Sequence, residues 1–251
     1  MNWSKIKSIM IYFLIVMNIF MIAFIYLTSV RESLIPDKVI FAAVEVLKHD
    51  GFICDTSVIP DTSYTLPDLD AEFYSAGELS EIFFKKQLAF KTADNSLVAS
   101  EKGATLTVFD NHFTYDSGSS PSVGYPPGKI KVALKKAGIN MRGAVYDEKE
   151  NCFYLMHSNT NLFNMYVKAE LDSEGNLCKV QAQWPKVLSA KEKNSISFVE
   201  SVTNVKSTFP DGGKINFIEL GYSLHPRGNE NYVFVPSWRL LVDDTLKILE
   251  K

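Results

Sequence analysis

Cysteine and histidine are scarce in this chain of 251 residues, and each scarcity excludes chemistry. Three cysteines, Cys54, Cys152 and Cys178, are too few and the wrong number for a disulfide scaffold. Cys152 and Cys178 read onto strands with one strand between them, roughly 9 Å or more apart and beyond the reach of a bridge. Free thiols are expected. The four histidines, His49, His112, His157 and His225, are scattered, with no HExxH and no Cys/His pair at metal spacing. Neither a Walker A motif nor GxGxxG is present, and the serine run at 117–122 lacks the GxSxG setting of a nucleophile elbow. Asp68, Asp70 and Glu72 offer oxygen ligands for calcium, but carboxylates at a loop–strand junction are ordinarily solvated. No enzyme is expected, and no cofactor or metal. A net charge of −3 gives no basic footprint for nucleic acid, and 46% hydrophobic against 22% charged residues describes a folded chain.

One long apolar run is present. Residues 8–30 read SIMIYFLIVMNIFMIAFIYLTSV, and the inner stretch 9–27 holds Asn18 as its one strongly polar residue and no charge. Nineteen residues at helical rise give roughly 28 Å, near the roughly 30 Å thickness of a bilayer's hydrocarbon. A cleaved signal peptide would need a shorter apolar region and a small-residue cleavage site, which Leu27-Thr28-Ser29 fits poorly. Lys5 and Lys7, with Trp3 at headgroup depth, place the short N-terminal side in the cytoplasm. The expected layout is a cytoplasmic segment 1–7, a transmembrane helix 8–30, and two extracytoplasmic lobes, 31–128 and 129–251. The localisation expected is a single-pass cell-membrane protein with its C-terminal part outside.

Beyond the anchor, Asp37 is expected to cap a helix to about Asp50, stopped by Gly51, with Val39, Ala43, Val46 and Leu47 as its buried stripe. Residues 52–73 read as an extended, proline-containing connector whose tail, 70–74, forms a strand. Ser75-Ala76-Gly77-Glu78 is a capping box, followed by Leu79, Ile82 and Phe83 at helical spacing. Alternation predicts a hairpin of 105–109 and 112–115 around Asp110-Asn111. A loop at 116–128 and a helix at 129–137, ending at Gly138, divide the lobes. Strands follow at 143–147, 152–157, 162–171 and 178–184. Ser189-Ala190-Lys191-Glu192 reads as a second capping box opening a helix to Ser207, with Phe198, Val202, Val205 and Phe209 on one face. Strands 214–225 and 232–243 follow, and the tail 245–251 is expected to fray. The fold class is α+β, each lobe packing helices on antiparallel sheet.

Asn18 lies near the bilayer midplane, where its amide either bonds back to its own helix or meets a second helix, a contact of roughly 0.6–2 kcal/mol. The face it shares contains Ile11, Leu14, Ile15, Met21, Ile22 and Ile25. Met1-Asn2-Trp3-Ser4-Lys5-Ile6-Lys7, followed by Met17-Asn18-Ile19-Phe20 in the apolar run, resembles the start of the YycH/YycI group of membrane-anchored regulators. Leu47 to Gly51-Phe52-Ile53, Leu69-Asp70-Ala71, Gly221-Tyr222 and Val235-Pro236-Ser237-Trp238-Arg239 extend the resemblance along the chain. It implies an α+β outer region and a regulatory function. The partners implied are a YycH-like protein and the sensor histidine kinase WalK (YycG), which controls cell-wall metabolism through WalR. The contacts it implies run largely through transmembrane helices, with the outer domain as a further contact region. Trp238 and Arg239 are expected to be structural. The alternative is an anchored surface module that binds a peptide or wall fragment, with 55–68 or 116–128 lining a groove.

Overall fold

The structure, a computed structural model, describes residues 3–122, 124–228 and 232–249. Within helix α1 (Trp3–Ser33) the side chains described are Lys7 and residues 10–24, and those of residues 187 and 192 also lie outside the description. Trp3, Lys5 and Ile25 of the expected anchor and stripe therefore have no described side chains.

Helix α2 (Asp37–His49) begins with Pro36 as its N-cap, whose carbonyl accepts from the amides of Val39 and Ile40. Asp37 is thus the first helical residue and not the cap: proline's fixed φ makes the entry, and the carboxylate faces the helix's positive end instead. Gly51, at φ 91°, stops the helix as expected. The stripe is rotated from the expected one. Ile40, Ala43, Val44 and Leu47 are 7% exposed or less, whereas Val39 and Val46 face solvent. Both sets recur at helical spacing, and only the packing partner chooses between them.

The expected connector at 52–73 is mostly regular. Strand β1 (Phe52–Ile53) runs parallel to Gly213 and Lys214, a 3-10 turn at Thr56–Val58 is capped by Asp55, and β2 (Tyr64–Phe73) follows. Burial at Pro67, Leu69 and Ala71 alternates with the acidic residues, a period-two signal that the proline obscured. Helix α3 (Ala76–Phe84) opens with the expected capping box, Ser75 accepting from the Glu78 amide while Glu78 accepts from Ser75. It ends at Lys85 in the left-handed conformation.

Strands β3 (Lys91–Ala93) and β4 (Ser96–Glu101) form a hairpin that the sequence reading lacks, turned by Asp94-Asn95 with both φ positive. The expected hairpin is β5 (Ala104–Val108) with β6 (Phe113–Asp116), where Val108 pairs with Phe113. Helix α4 (Pro127–Ala137) ends at Gly138, as expected, and β7 (Ala144–Asp147), β8 (Cys152–His157), β9 (Thr160–Leu171) and β10 (Leu177–Gln183) form a meander. β9 separates the strands of Cys152 and Cys178, and all three cysteines are free and buried.

Residues 189–196 belong to β11 (Pro185–Ile196) and not to a helix. A serine cap operates eight residues later, where Ser197 accepts from the Glu200 amide to start α5 (Phe198–Ser201), followed by α6 (Thr203–Thr208). Phe198, Val202, Val205 and Phe209 are all buried, as their spacing predicts. Strands β12 (Gly213–Pro226) and β13 (Tyr232–Val242) match expectation, but the tail forms β14 (Thr245–Ile248) on β13. It is held because the Leu249 amide donates to the Trp238 carbonyl and its side chain is buried.

The protein is α+β, with few helices and a large, mostly antiparallel sheet ordered β11-β2-β13-β12-β9-β10-β6-β5-β4-β3; β12 and β9 pair in parallel. Two compact units divide it: Met1–Thr65 with Ser195–Ile218 and Leu241–Thr245, and Leu66–Asn194 with Glu219–Leu240 and Leu246–Lys251. The boundary expected between residues 128 and 129 falls inside the second unit. β6 and β10 pair across it, and Ser117 and Ser122 donate to the Cys178 and Leu171 carbonyls, so this loop is stitched to the sheet.

Candidate functional site

Two regions carry surface that the fold itself does not explain. The first is α1. Every large apolar side chain described from Met10 to Phe24 is at least 44% exposed, on all faces of the helix. Ile11, Leu14, Ile15, Met21 and Ile22 of the expected partner face are among them. Asn18, also exposed, donates from Nδ2 to the Leu14 carbonyl at 2.8 Å, the back-bond to its own helix; this satisfies one amide proton. Among the described residues, no helix is long and apolar enough to cross a membrane. Within α1 the described side chains run without a break from residue 10 to residue 24.

The second region is a groove of about 900 Å³ in the second unit, between α3, α4 and the turn after β9. Its apolar surface comes from Ile82, Phe83, Tyr115, Val132, Leu171 and Leu177. The α4 wall is written in the sequence: Lys129, Val132, Ala133 and Lys136 recur at helical spacing, opposite the buried pair Ile130 and Leu134. Phe83 stacks on Tyr115 at 4.3 Å, and burial raises the Tyr115 phenol above its usual range. The 116–128 loop contributes Tyr125, whose hydroxyl donates to the Ser173 carbonyl at 3.2 Å. Lys129 lies over the Tyr125 ring at 5.4 Å. The sequence reading named the loop as a groove wall and missed both helices. A helical stripe that mixes lysine with apolar residues was the available signal.

A smaller cleft of about 570 Å³ is lined by Asp70, Glu72, Ser189, Lys191, Arg227 and Tyr232. Its charges are already matched. Lys191 and Arg227 reach Asp70 at 2.6 and 3.4 Å, and Lys186 bridges Glu72 and Glu78 at 3.0 and 2.5 Å. These bonds push the Lys186 ammonium above its usual range and, with the Ser75 amide, hold the Glu78 carboxyl below its own. The acidic stretch 68–72 is therefore spread over separate partners. Asp68 Oδ1 is buried with no partner among the described residues. Among the described residues, no three His, Cys, Asp or Glu side chains gather to hold a metal.

Nucleophiles are present but closed off. Burial raises the thiols of Cys54, Cys152 and Cys178 above their ordinary range, which favours the unreactive thiol. Ser223 Oγ lies 2.7 Å from His225 Nε2 and 2.5 Å from Ser237 Oγ, a pairing not foreseen from the sequence. Both hydroxyls are buried, and Ser237 donates to the Val235 carbonyl, so the set ties strands together. His112 stacks on Phe109, and burial lowers its pKa. Trp238 is buried, and Arg239 bonds Glu219 while lying over the Phe163 ring at 4.3 Å, both structural placements.

No family model matches the chain, and neither does any curated protein. Among solved structures it is similar to an uncharacterized protein from Eubacterium rectale ATCC 33656. That similarity has 10% identity over 74% of this chain and 82% of the other, with a TM-score of 0.36, a level that carries neither fold nor function across.

Proposed function

We propose that this chain is a membrane-anchored, non-catalytic regulator of a sensor histidine kinase of the WalK type, acting with a YycH-like partner in the control of cell-wall metabolism. The observation that carries the reading is the apolar surface of α1, exposed on every face over residues 10–24. A helix apolar all round requires apolar surroundings all round, and the hydrocarbon of a bilayer supplies them. The complete helix has 31 residues and a length of about 46 Å, enough to cross roughly 30 Å of hydrocarbon and reach the headgroups at both ends. The resemblance of the N-terminal string to the YycH/YycI group supports the choice of partner. Lys5 and Lys7 orient the short end to the cytoplasm, leaving the chain after α1 outside.

Regulation in this reading is a population shift. A helix that packs better on one signalling state of the kinase favours that state by its differential affinity, and 1–2 kcal/mol changes the balance roughly fivefold to thirtyfold. Ile11, Leu14, Ile15, Asn18, Met21, Ile22 and Ile25 form the proposed contact face.

The test is crosslinking and co-purification from native membranes, comparing the full chain with a variant whose residues 8–30 are replaced by poly-Leu. Capture of a histidine kinase by the full chain only supports a contact made through α1. Capture by neither removes the regulatory reading, and release of the full chain by alkaline carbonate removes the anchor.

A further inference from the structure

The groove between α3 and α4 differs from the smaller cleft in one respect: its positive charge is unspent. Lys85, Lys129 and Lys136 are exposed on its lining, against Glu174 as the single acid there. None of the three lysines meets a carboxylate among the described residues. Lys85 Nζ donates to the Ile82 carbonyl at 2.9 Å, and Lys129 lies over the Tyr125 ring. In the smaller cleft, by contrast, Lys191, Arg227 and the neighbouring Lys186 are all bonded to Asp70, Glu72 or Glu78. This local excess of positive charge stands on a chain whose net charge is −3.

We infer that this groove is a docking site for an acidic segment of a partner protein, one that carries an aliphatic or aromatic anchor between its carboxylates. The anchor occupies the apolar floor at Phe83, Tyr115 and Val132, and the flanking carboxylates take the three lysines. Apolar walls lower the local dielectric, so charges at the rim attract more strongly than they do on an open face. The volume of about 900 Å³ lies at the upper end of ligand-sized cavities and accommodates several residues of peptide. Two helices with a turn between them make a channel in which the segment lies lengthwise, with side-chain pockets supplying selectivity. The inference does not depend on α1, because all the lining residues belong to the second unit.

The experiment uses the full chain in detergent micelles and a fluorescein-labelled peptide, Glu-Asp-Phe-Glu-Asp-Leu-Glu, followed by fluorescence anisotropy. A matched peptide with lysine at every acidic position is the control. Binding of the acidic peptide only, weakened about tenfold or more in a K85E/K129E/K136E variant and by added salt, supports the docking site. The three lysines are exposed, so the variant is expected to keep its circular dichroism and unfolding midpoint. V132D, made on the exposed α4 surface, separately tests the apolar floor and is expected to abolish binding. Equal binding to the wild type and the triple variant overturns the inference, as does failure of the acidic peptide to bind at millimolar concentration. Displacement of the peptide by lauric acid at stoichiometric amounts assigns the groove to a lipid and overturns the peptide. A concentration-dependent dimer that the triple variant loses assigns it to a second copy of this chain.

Discussion

Helices α1 and α2 adjoin in the chain and are both rich in aliphatic residues, yet they solve opposite problems. In α2 the apolar residues fall on one stripe, and Ile40, Ala43, Val44 and Leu47 are buried within the chain's own fold. In α1 they cover the whole circumference, and every large one described is at least 44% exposed. An amphipathic helix states which side faces the protein. A helix without a polar side states only that its surroundings are elsewhere.

The contrast breaks most directly at Leu47. Leu47→Ala deletes a fully buried side chain and is expected to cost about 2–5 kcal/mol in urea unfolding of the full chain in detergent. Leu14→Ala, an exposed counterpart in α1, is expected to change that free energy by less than about 0.5 kcal/mol. Equal costs would mean that α1 packs on the protein after all. Ile22→Arg approaches from the other side. A central arginine costs insertion about 2.5–3.5 kcal/mol, so this variant is expected to appear in the alkaline-carbonate supernatant while the region after α1 stays folded.

The comparison extends to helix entries. α2 starts on a proline with no side-chain cap, whereas α3 starts on the reciprocal Ser75–Glu78 box. Ser75→Ala is therefore expected to cost about 1 kcal/mol, read from the same urea midpoint. Glu78 also gives α3 a pH dependence. Its folded pKa is depressed by Lys186 and by the Ser75 amide, so its contribution is present above the unfolded carboxyl value of about 4.3 and is lost as pH falls through the folded value. The loss is expected to stay below about 1 kcal/mol, because these side chains are partly solvated, and Glu78→Gln should remove it from the stability profile.

A small effect is expected at Asn18. Its amide already donates one proton to Leu14, which leaves the second proton and the carbonyl oxygen for a second helix. Asn18→Leu is expected to weaken kinase capture by about threefold, the value of an average intramembrane hydrogen bond of about 0.6 kcal/mol. A complete loss of capture would make this residue the centre of the contact, and no change would leave the aliphatic face alone.

Local patterns carried much of the fold. The Gly51 and Gly138 stops, the Ser75 box, the β5–β6 hairpin and the meander from β7 to β10 follow from rules that act over a few residues. Legibility ended where one string satisfied two rules. Residues 189–192 match a capping box, yet they lie in β11, where Lys191 reaches Asp70; eight residues later the same pattern at Ser197 does start a helix. The rotated stripe of α2 and the strand hidden around Pro67 have the same origin.

The sequence by itself determined the class: a uniformly apolar helix ahead of an α+β region, with free cysteines and no motif for catalysis. Periodicity, caps and composition are local quantities, and no distant residue is needed to read them. Only the tertiary structure decided which lysines are neutralised and which are not, because Lys186 finds Glu78 across 108 positions of chain while Lys129, among the described residues, meets a tyrosine ring and no carboxylate. Charge compensation depends on contacts between distant segments, and those are made by the fold.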